Sequence, residues 1–169
     1  MKTPCAPLFA VFMAWAVAAT AHAGCDTLPA PVTAYVRAHP GWAVVRGGDL
    51  VSDDQGLWAQ YHKGLCPGWT KVRLDVARRP FYAVALISRS EEKLVLIDAA
   101  TGQARQVVPA DRVASPMVVW SVGPGMTHDQ NIGRDLRVST ESIIYEKMEA
   151  FATQFFMKNG KMHSVLTAN

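Results

Sequence analysis

The chain has 169 residues, of which 50% are hydrophobic and 18% are charged. This composition is typical of one folded globular domain and excludes a disordered or collagen-like chain. The 17 basic and 14 acidic residues give a formal net charge of +3 and are scattered without a basic block. Because nucleic-acid binding relies on concentrated positive charge, the sequence argues against a nucleic-acid partner.

The N-terminus has the pattern of a secretory signal peptide. Lys2 gives a positive start, residues 6–19 are apolar and uncharged, and Ala21-His22-Ala23 supplies small residues at a cleavage site. The apolar run is shorter than the roughly 20 residues that span a bilayer, which argues against an uncleaved anchor. We therefore predict a signal peptide over residues 1–23, one mature domain over residues 24–169 without a transmembrane segment, and a periplasmic or secreted location.

The cysteines allow two interpretations. Cys5 leaves with the signal peptide, so the mature chain keeps Cys25 and Cys66, and an even number in an oxidising compartment predicts a disulfide between them. However, Ala23-Gly24-Cys25 also resembles the end of a bacterial lipobox, although His22 stands where that motif prefers leucine. The alternative is therefore a lipoprotein that is anchored through Cys25, with Cys66 unpaired.

Hydrophobic periodicity predicts two short helices early in the mature domain. The first covers residues 32–39 and ends at Pro40-Gly41. Residues 41–45 then resemble a short strand, and a second helix, with apolar residues at helical spacing, ends near Gly64.

The start of the second helix carries a polar cluster. Ser52 and Gln55 have the spacing of a capping box. Asp53 and Asp54 could be paired catalytic carboxylates, but in a first helical turn they more simply offset the positive end of the helix dipole. Adjacent helix positions also point to different faces, which disfavours a shared catalytic site.

From Cys66 onward, β-branched and aromatic residues predict extended structure. The predicted strands cover residues 81–87, 93–97, 106–108, 116–122, 142–145, 153–157 and 161–165. Polar turns join the first three strands into a meander, and Asn159-Gly160 predicts a type I′ turn between the last two. The expected class is α+β, with two short N-terminal helices followed by a mostly antiparallel, twisted β-sheet that consists of a meander and a C-terminal hairpin.

Several short motifs resemble a largely uncharacterised family of small secreted proteobacterial proteins. They are His39-Pro40-Gly41-Trp42, Asp49-Leu50, Trp58, Cys66-Pro67-Gly68, residues 80–86 and 93–97, and Tyr145-Glu146-Lys147 with Asn159-Gly160-Lys161. The resemblance covers nearly the whole mature chain, and it implies fold and compartment more than activity.

That family often carries, after Cys-Pro-Gly, an acidic loop of the FG-GAP or VCBS type that resembles calcium loops. The resemblance places this loop on residues 73–82, where only Asp75 remains of four carboxylates. Because calcium needs six to eight oxygen ligands, we predict no calcium here and no other metal or cofactor. Arg73, Arg78 and Arg79 stand in the loop instead, where a guanidinium can pair with Asp75. These arginines are either a recognition patch or solvated turn residues.

Other catalytic patterns are missing from the sequence. The mature histidines, His39, His62, His128 and His163, lack zinc-site spacing. No Gly-x-Ser-x-Gly turn and no phosphate-binding Gly-x-x-x-x-Gly-Lys loop is present, so a serine hydrolase and a nucleotide-binding protein are disfavoured.

Residues 121–135 form the most distinctive segment, which we predict to be a long irregular loop between two strands. Long loops in compact domains are either functional or mobile. The candidate binding residues of this loop are Met126, His128, Asp129 and Arg134. A polar tip of this kind would fit the cleft of an envelope enzyme.

Two functions follow from these features. The first is a periplasmic, non-catalytic binding protein, specifically an immunity or inhibitor protein that blocks a toxic or cell-wall-degrading enzyme through the loop. The alternative is an envelope hydrolase or small-molecule-binding protein with a site assembled across the sheet from His128, Asp129, Arg73 and Asp75. The absence of local catalytic motifs favours the first.

Overall fold

The computed structural model describes residues 25–75 and 77–167, so the predicted signal peptide lies outside the described residues. The helices are α1 (Ala30–Ala38) and α2 (Ser52–Tyr61), separated by strand β1 (Ala43–Val44) and a 3-10 turn (Gly47–Asp49). The remaining strands are β2 (Trp69–Val72), β3 (Phe81–Ser88), β4 (Glu91–Asp98), β5 (Ala104–Arg112), β6 (Val118–Val122), β7 (Gly125–Asp129), β8 (Arg134–Val138), β9 (Ser142–Lys147), β10 (Phe151–Lys158) and β11 (Lys161–Thr167). Both predicted helices and the α+β class are confirmed.

The strands form three antiparallel sheets. Sheet 1 has the order β1-β3-β4-β5, and β2 pairs with β3 beside β1. Sheet 2 has the order β11-β10-β9-β6, and β7 and β8 form a two-stranded sheet of their own. The predicted meander is β3-β4-β5, and the predicted C-terminal hairpin is β10-β11.

The central strands of sheet 1, β3 and β4, are buried on both of their faces. One face, with Leu94 and Leu96, packs against Ile143 and Phe155 of sheet 2 in the main core. The other face packs against α1 through Val32, which is fully buried. A strand that is covered on both sides needs apolar residues at consecutive positions, which explains the unbroken run Leu94 to Ile97 in β4.

The two large sheets also meet along the edges of β2 and β6. The backbone N–H of Val119 donates to the carbonyl of Pro67 at 2.7 Å, and the Thr70 hydroxyl donates to the Ser121 hydroxyl at 3.2 Å. The adjacent Gly68 allows close packing against the end of β1, since a Cβ at that position would lie 2.0 Å from the carbonyl oxygen of Val45. The Cys-Pro-Gly motif therefore has a packing role.

The polar cluster at the start of α2 differs from the prediction. Ser52 is the first helical residue and Val51 is the N-cap, without a side-chain capping bond. The Gln55 amide instead donates to the carbonyl of Leu50 at 2.7 Å, so the predicted capping box does not form. Asp53 is exposed whereas Asp54 is buried, which agrees with the expectation that the two carboxylates do not share a site.

The prediction of a long irregular loop over residues 121–135 is wrong. Most of the segment belongs to the hairpin β7-β8, whose strands are joined by a turn at residues 130–133. The alternation was hard to recognise because the apolar Met126 faces outward, while the inner positions include the polar Thr127 and Asp129 beside Leu136 and Val138. In contrast, the type I′ turn of the C-terminal hairpin is confirmed by the positive φ of both Asn159 (52°) and Gly160 (73°).

The disulfide between Cys25 and Cys66 is present, with 5.3 Å between the Cα atoms. The Cys25 sulfur that a thioether lipid would need is thus bonded to Cys66. Within the described ranges, no helix is long and apolar enough to cross a membrane.

We expect replacement of both cysteines by serine to lower the free energy of unfolding by about 3 to 4 kcal/mol, because the bond closes a loop with a sequence separation of 41 residues. Urea unfolding of the double variant measures the loss. Reduction of the unmodified protein should give a similar loss, and a free thiol titrated before reduction would contradict the pairing.

Candidate functional site

The hairpin β7-β8 has an outward face and an inward face. Met126 pairs with Arg137 and His128 pairs with Asp135 across the two strands. These four side chains form the hairpin face, on which Met126 is 67% exposed. The His128 ring contacts the Asp135 carboxylate at 2.7 Å. Met126 is the most exposed of the large hydrophobic side chains in the described part of the chain, and methionine is a residue that adaptable binding surfaces often use.

The inward face holds the hairpin against sheet 2. Val138 packs with Phe156 and Val165 in a small apolar cluster, and Leu136 packs beside it. At the tip, the backbone N–H of Gln130 donates to the carbonyl of Leu166 in β11 at 2.9 Å. The hairpin is therefore fixed at its side and at its tip.

The four candidate loop residues do not share one surface. Met126 and His128 lie on the hairpin face, and Arg134 is exposed at the start of β8. Asp129 points the other way: it is 8% exposed, and its carboxylate accepts the backbone N–H of Asn131 at 3.0 Å. Neighbouring strand residues face opposite sides, so Asp129 faces away from the hairpin face that carries His128. Its hydrogen bond to Asn131 stabilises the turn.

Arg73, Asp75 and Arg78 line a cavity of about 310 Å³ at the base of the hairpin. This arginine cavity is completed by residues on both sides of the hairpin, namely Pro124, Ser139, Thr140 and Glu141. The structure thus brings Arg73, Asp75 and Arg78 next to the hairpin. His128 and Asp129 do not line the cavity, so the alternative site that combines them with Arg73 and Asp75 is not assembled.

Ion pairs neutralise both carboxylates of the arginine cavity. Asp75 accepts hydrogen bonds from the backbone N–H of Arg79 at 3.0 Å and from its guanidinium at 2.9 Å. Glu141 accepts from the backbone N–H of Arg73 at 2.7 Å and from its guanidinium at 3.3 Å. The expected pairing of Asp75 with a guanidinium is confirmed, and Arg79 supplies it. Arg78 has no carboxylate partner in the described part of the chain.

A buried carboxyl group lies in the main core between the two large sheets. Glu92 is 2% exposed, accepts the Tyr145 hydroxyl at 2.8 Å and accepts the backbone N–H of Met117 at 2.9 Å. Burial raises the pKa of Glu92 to about 7, against the opposing effect of these hydrogen bonds and of the Lys147 charge. The pKa of Tyr145 is raised as well, first by burial and second by the charge of the neighbouring Glu92.

Near the Glu92 carboxyl group, Ser115 contacts Lys147. The Lys147 ammonium lies 2.5 Å from the Ser115 hydroxyl and 2.6 Å from the Asp54 carboxylate. A serine next to a lysine can act as a nucleophile with its base. Here, however, Lys147 donates to both the Asp54 carboxylate and the Ser115 hydroxyl, and the Ser115 hydroxyl donates to Asp54 at 3.3 Å, not to the lysine. The trio instead fastens α2 to sheet 2.

The C-terminal end of α2 is held by aromatic stacking. The His62 ring lies 4.3 Å from the Trp58 ring and 4.7 Å from the Trp120 ring. Burial lowers the pKa of His62, against the opposing charge of Glu146. The neutral form of His62 is thereby favoured, which suits a half-buried ring that stacks on Trp58 and lies tilted against Trp120. Sequence patterns alone missed this stack and the Glu92 cluster, because their members are far apart in the chain.

The described residues contain no group of three or more histidine, cysteine, aspartate or glutamate side chains that could hold a metal ion. Comparisons with protein-family models, with curated proteins and with solved structures found no match. The resemblance to a family of small secreted proteins therefore stays a prediction.

We expect calcium to leave the melting temperature unchanged, because both oxygens of Asp75 already accept hydrogen bonds from Arg79. Thermal unfolding in millimolar calcium chloride and in chelator measures the effect. A rise in melting temperature with calcium concentration would show binding to the folded state and would contradict this expectation.

We expect stability to fall as the pH rises from 5 to 8, through the titration of Glu92. Its folded pKa of about 7 exceeds its ordinary value of 4.5, so the folded state binds the proton more tightly between these values. Ionisation of Glu92 should therefore cost about 2 to 3 kcal/mol of stability over this range.

Urea unfolding at the two pH values tests this contribution. Glu92→Gln should remove it, whereas Glu91→Gln, at the exposed neighbouring position of the same strand, should leave it in place. An unchanged pH dependence in Glu92→Gln would contradict the assignment.

Proposed function

We propose that this protein is a non-catalytic, extracytoplasmic binding protein that inhibits an enzyme, as an immunity or inhibitor protein does. The observation that carries the proposal is the hairpin face. It presents an exposed methionine on a backbone that is fixed at its side and tip. The target is a toxic or cell-wall-degrading enzyme of the envelope.

The rigidity of the hairpin supports an inhibitory role. A segment that is already ordered loses little conformational entropy when it inserts into a cleft, so more of its contact energy appears as affinity. Val138 and Leu136 pack on the inward side of the hairpin and keep it ordered, while the outward side of the same strands stays exposed. An inhibitor needs such a surface and no reacting group of its own.

The charge of the hairpin indicates the nature of the partner. Arg137 is exposed and pairs across the strands with Met126, whereas Asp135 contacts the His128 ring at 2.7 Å. Arg137 therefore places a positive charge directly beside Met126. An enzyme cleft lined by carboxylates, which is common in hydrolases of glycosidic bonds, would complement it.

The disulfide supports a location outside the cytoplasm. Structural disulfides form and persist in oxidising compartments, and this one joins the start of the described chain to the body of the domain. A periplasmic or secreted protein would meet envelope enzymes directly. The predicted signal peptide agrees with that location.

Affinity capture followed by an inhibition assay tests the function. The mature protein is immobilised and exposed to an envelope extract, and each retained enzyme is assayed with added wild-type protein. We expect a retained hydrolase to lose activity at a stoichiometric ratio. Met126→Asp should weaken this inhibition at least tenfold, because it places a negative charge at the centre of the hairpin face.

Leu65→Asp is the matched control, because Leu65 is a 48% exposed apolar residue outside the hairpin. It should leave the inhibition unchanged, and both variants should retain the wild-type melting temperature. Retention of enzymes without loss of their activity, or equal inhibition by Met126→Asp and wild type, would overturn the proposal.

A further inference from the structure

We propose that the arginine cavity binds a carboxylate group, supplied by an acidic side chain of the protein partner. The binding of the carboxylate stands on the cavity alone, and only its source rests on the proposed function. The cavity and the hairpin face are adjacent. A second hollow, which contains Met126 and Arg137, shares Pro124 and Ser139 with the arginine cavity.

The charge balance of the cavity favours an anion. Asp75 and Glu141 are each paired with an arginine, through two hydrogen bonds in each case. The guanidinium of Arg78 has no carboxylate partner among the described residues, so its positive charge is not balanced by an ion pair there. A cation entering the cavity would meet arginines and carboxylates that are already occupied, whereas an anion would pair with Arg78.

One uncompensated positive charge matches a singly charged ligand. A carboxylate carries one negative charge and accepts two parallel hydrogen bonds from a guanidinium fork. Phosphate near neutral pH is a mixture of a monoanion and a dianion, and the dianion carries one charge more than Arg78 supplies. A carboxylate, in contrast, is matched by the single charge of Arg78.

The backbone fixes Arg78 before a ligand arrives. Its φ is 54°, in the left-handed region that few non-glycine residues adopt. The turn that imposes this conformation is closed by the backbone N–H of Arg78, which donates to the carbonyl of Asp75 at 3.0 Å, and by the Asp75 carboxylate, which accepts from Arg79. A guanidinium held on such a turn loses less freedom on binding than one on a mobile loop.

The remaining walls and the size of the cavity suit a side chain. Ser139 and Thr140 add hydroxyl groups, and Pro124 adds an apolar surface against which methylene groups can pack. The volume of about 310 Å³ lies at the lower end of the roughly 300 to 1,000 Å³ that is typical of ligand sites. An aspartate or glutamate side chain fits this volume better than a large cofactor.

Titration with blocked amino acids tests the site. N-acetyl-glutamate methylamide is added to the isotope-labelled mature protein, and amide chemical shifts are followed by NMR. We expect saturable shifts of residues that line the cavity, and much smaller shifts with the uncharged N-acetyl-glutamine methylamide. Arg78→Gln should weaken binding about tenfold or more, because it removes the charged partner.

Arg89→Gln is a closely matched control. Arg89 is also exposed and also has a positive φ, of 55°, but it does not line the cavity. It should leave the affinity unchanged. Equal binding of the glutamate and glutamine compounds, equal affinity of Arg78→Gln and wild type, or tighter binding of inorganic phosphate than of the glutamate compound would each overturn the carboxylate site.

The source of the carboxylate is tested separately. If a partner supplies it, Arg78→Gln should weaken inhibition of the captured enzyme while Arg89→Gln does not. If free glutarate binds a hundredfold more tightly than the blocked glutamate, the ligand is a small dicarboxylic acid. That result would overturn the proposal that a protein partner supplies the carboxylate. Inhibition that depends on Met126 but not on Arg78 would also overturn it, and would leave the proposed function standing.

Discussion

The double-sided burial of sheet 1 is the constraint on which the rest of the structure depends. β4 has α1 on one side and sheet 2 on the other, so its central residues have no access to water. At about 25 cal/mol per Å² of apolar surface removed from water, burial of these residues on both faces of β4 stabilises the folded state. The outer face of sheet 2 is thereby free to carry the hairpin β7-β8, which presents the candidate binding surface.

The elements that the sequence predicted well are those with local physical signals. Asn159 and Gly160 can both adopt positive φ, which is what the turn between β10 and β11 requires. The strands β3 and β4 were recognisable because burial on both faces leaves an apolar run. The pairing of Asp75 with a guanidinium could also be inferred from the sequence, since Arg79 follows it at a distance of four residues.

The elements that the sequence did not reveal depend on contacts between distant segments. The hairpin β7-β8 contributes little apolar surface of its own, and it is ordered by Val138 against Phe156 and Val165 of sheet 2. Whether Asp129 faces solvent or the protein depends on strand register, which no single residue indicates. The contact between Lys147 and Asp54 spans 93 positions, so neither residue marks it locally.

The two halves of the candidate site have complementary physical properties. The hairpin face offers an apolar anchor, Met126, with Arg137 beside it, whereas the adjacent arginine cavity offers the guanidinium of Arg78 on a hydrogen-bonded turn. Contacts of the first kind contribute affinity by excluding water, and contacts of the second kind contribute selectivity for an acidic group. Because both arise around the hairpin, one rigid element serves them together.

The bond between Cys25 and Cys66 has a consequence for how the protein matures. It links the segment before α1 to the junction of β2 and β6, so the chain gains this link only where thiols are oxidised. A polypeptide that crosses a membrane through a narrow translocation channel must remain loosely folded until it has passed. Under the proposed export, the late-forming cystine would help to delay final consolidation until the chain has reached the far side.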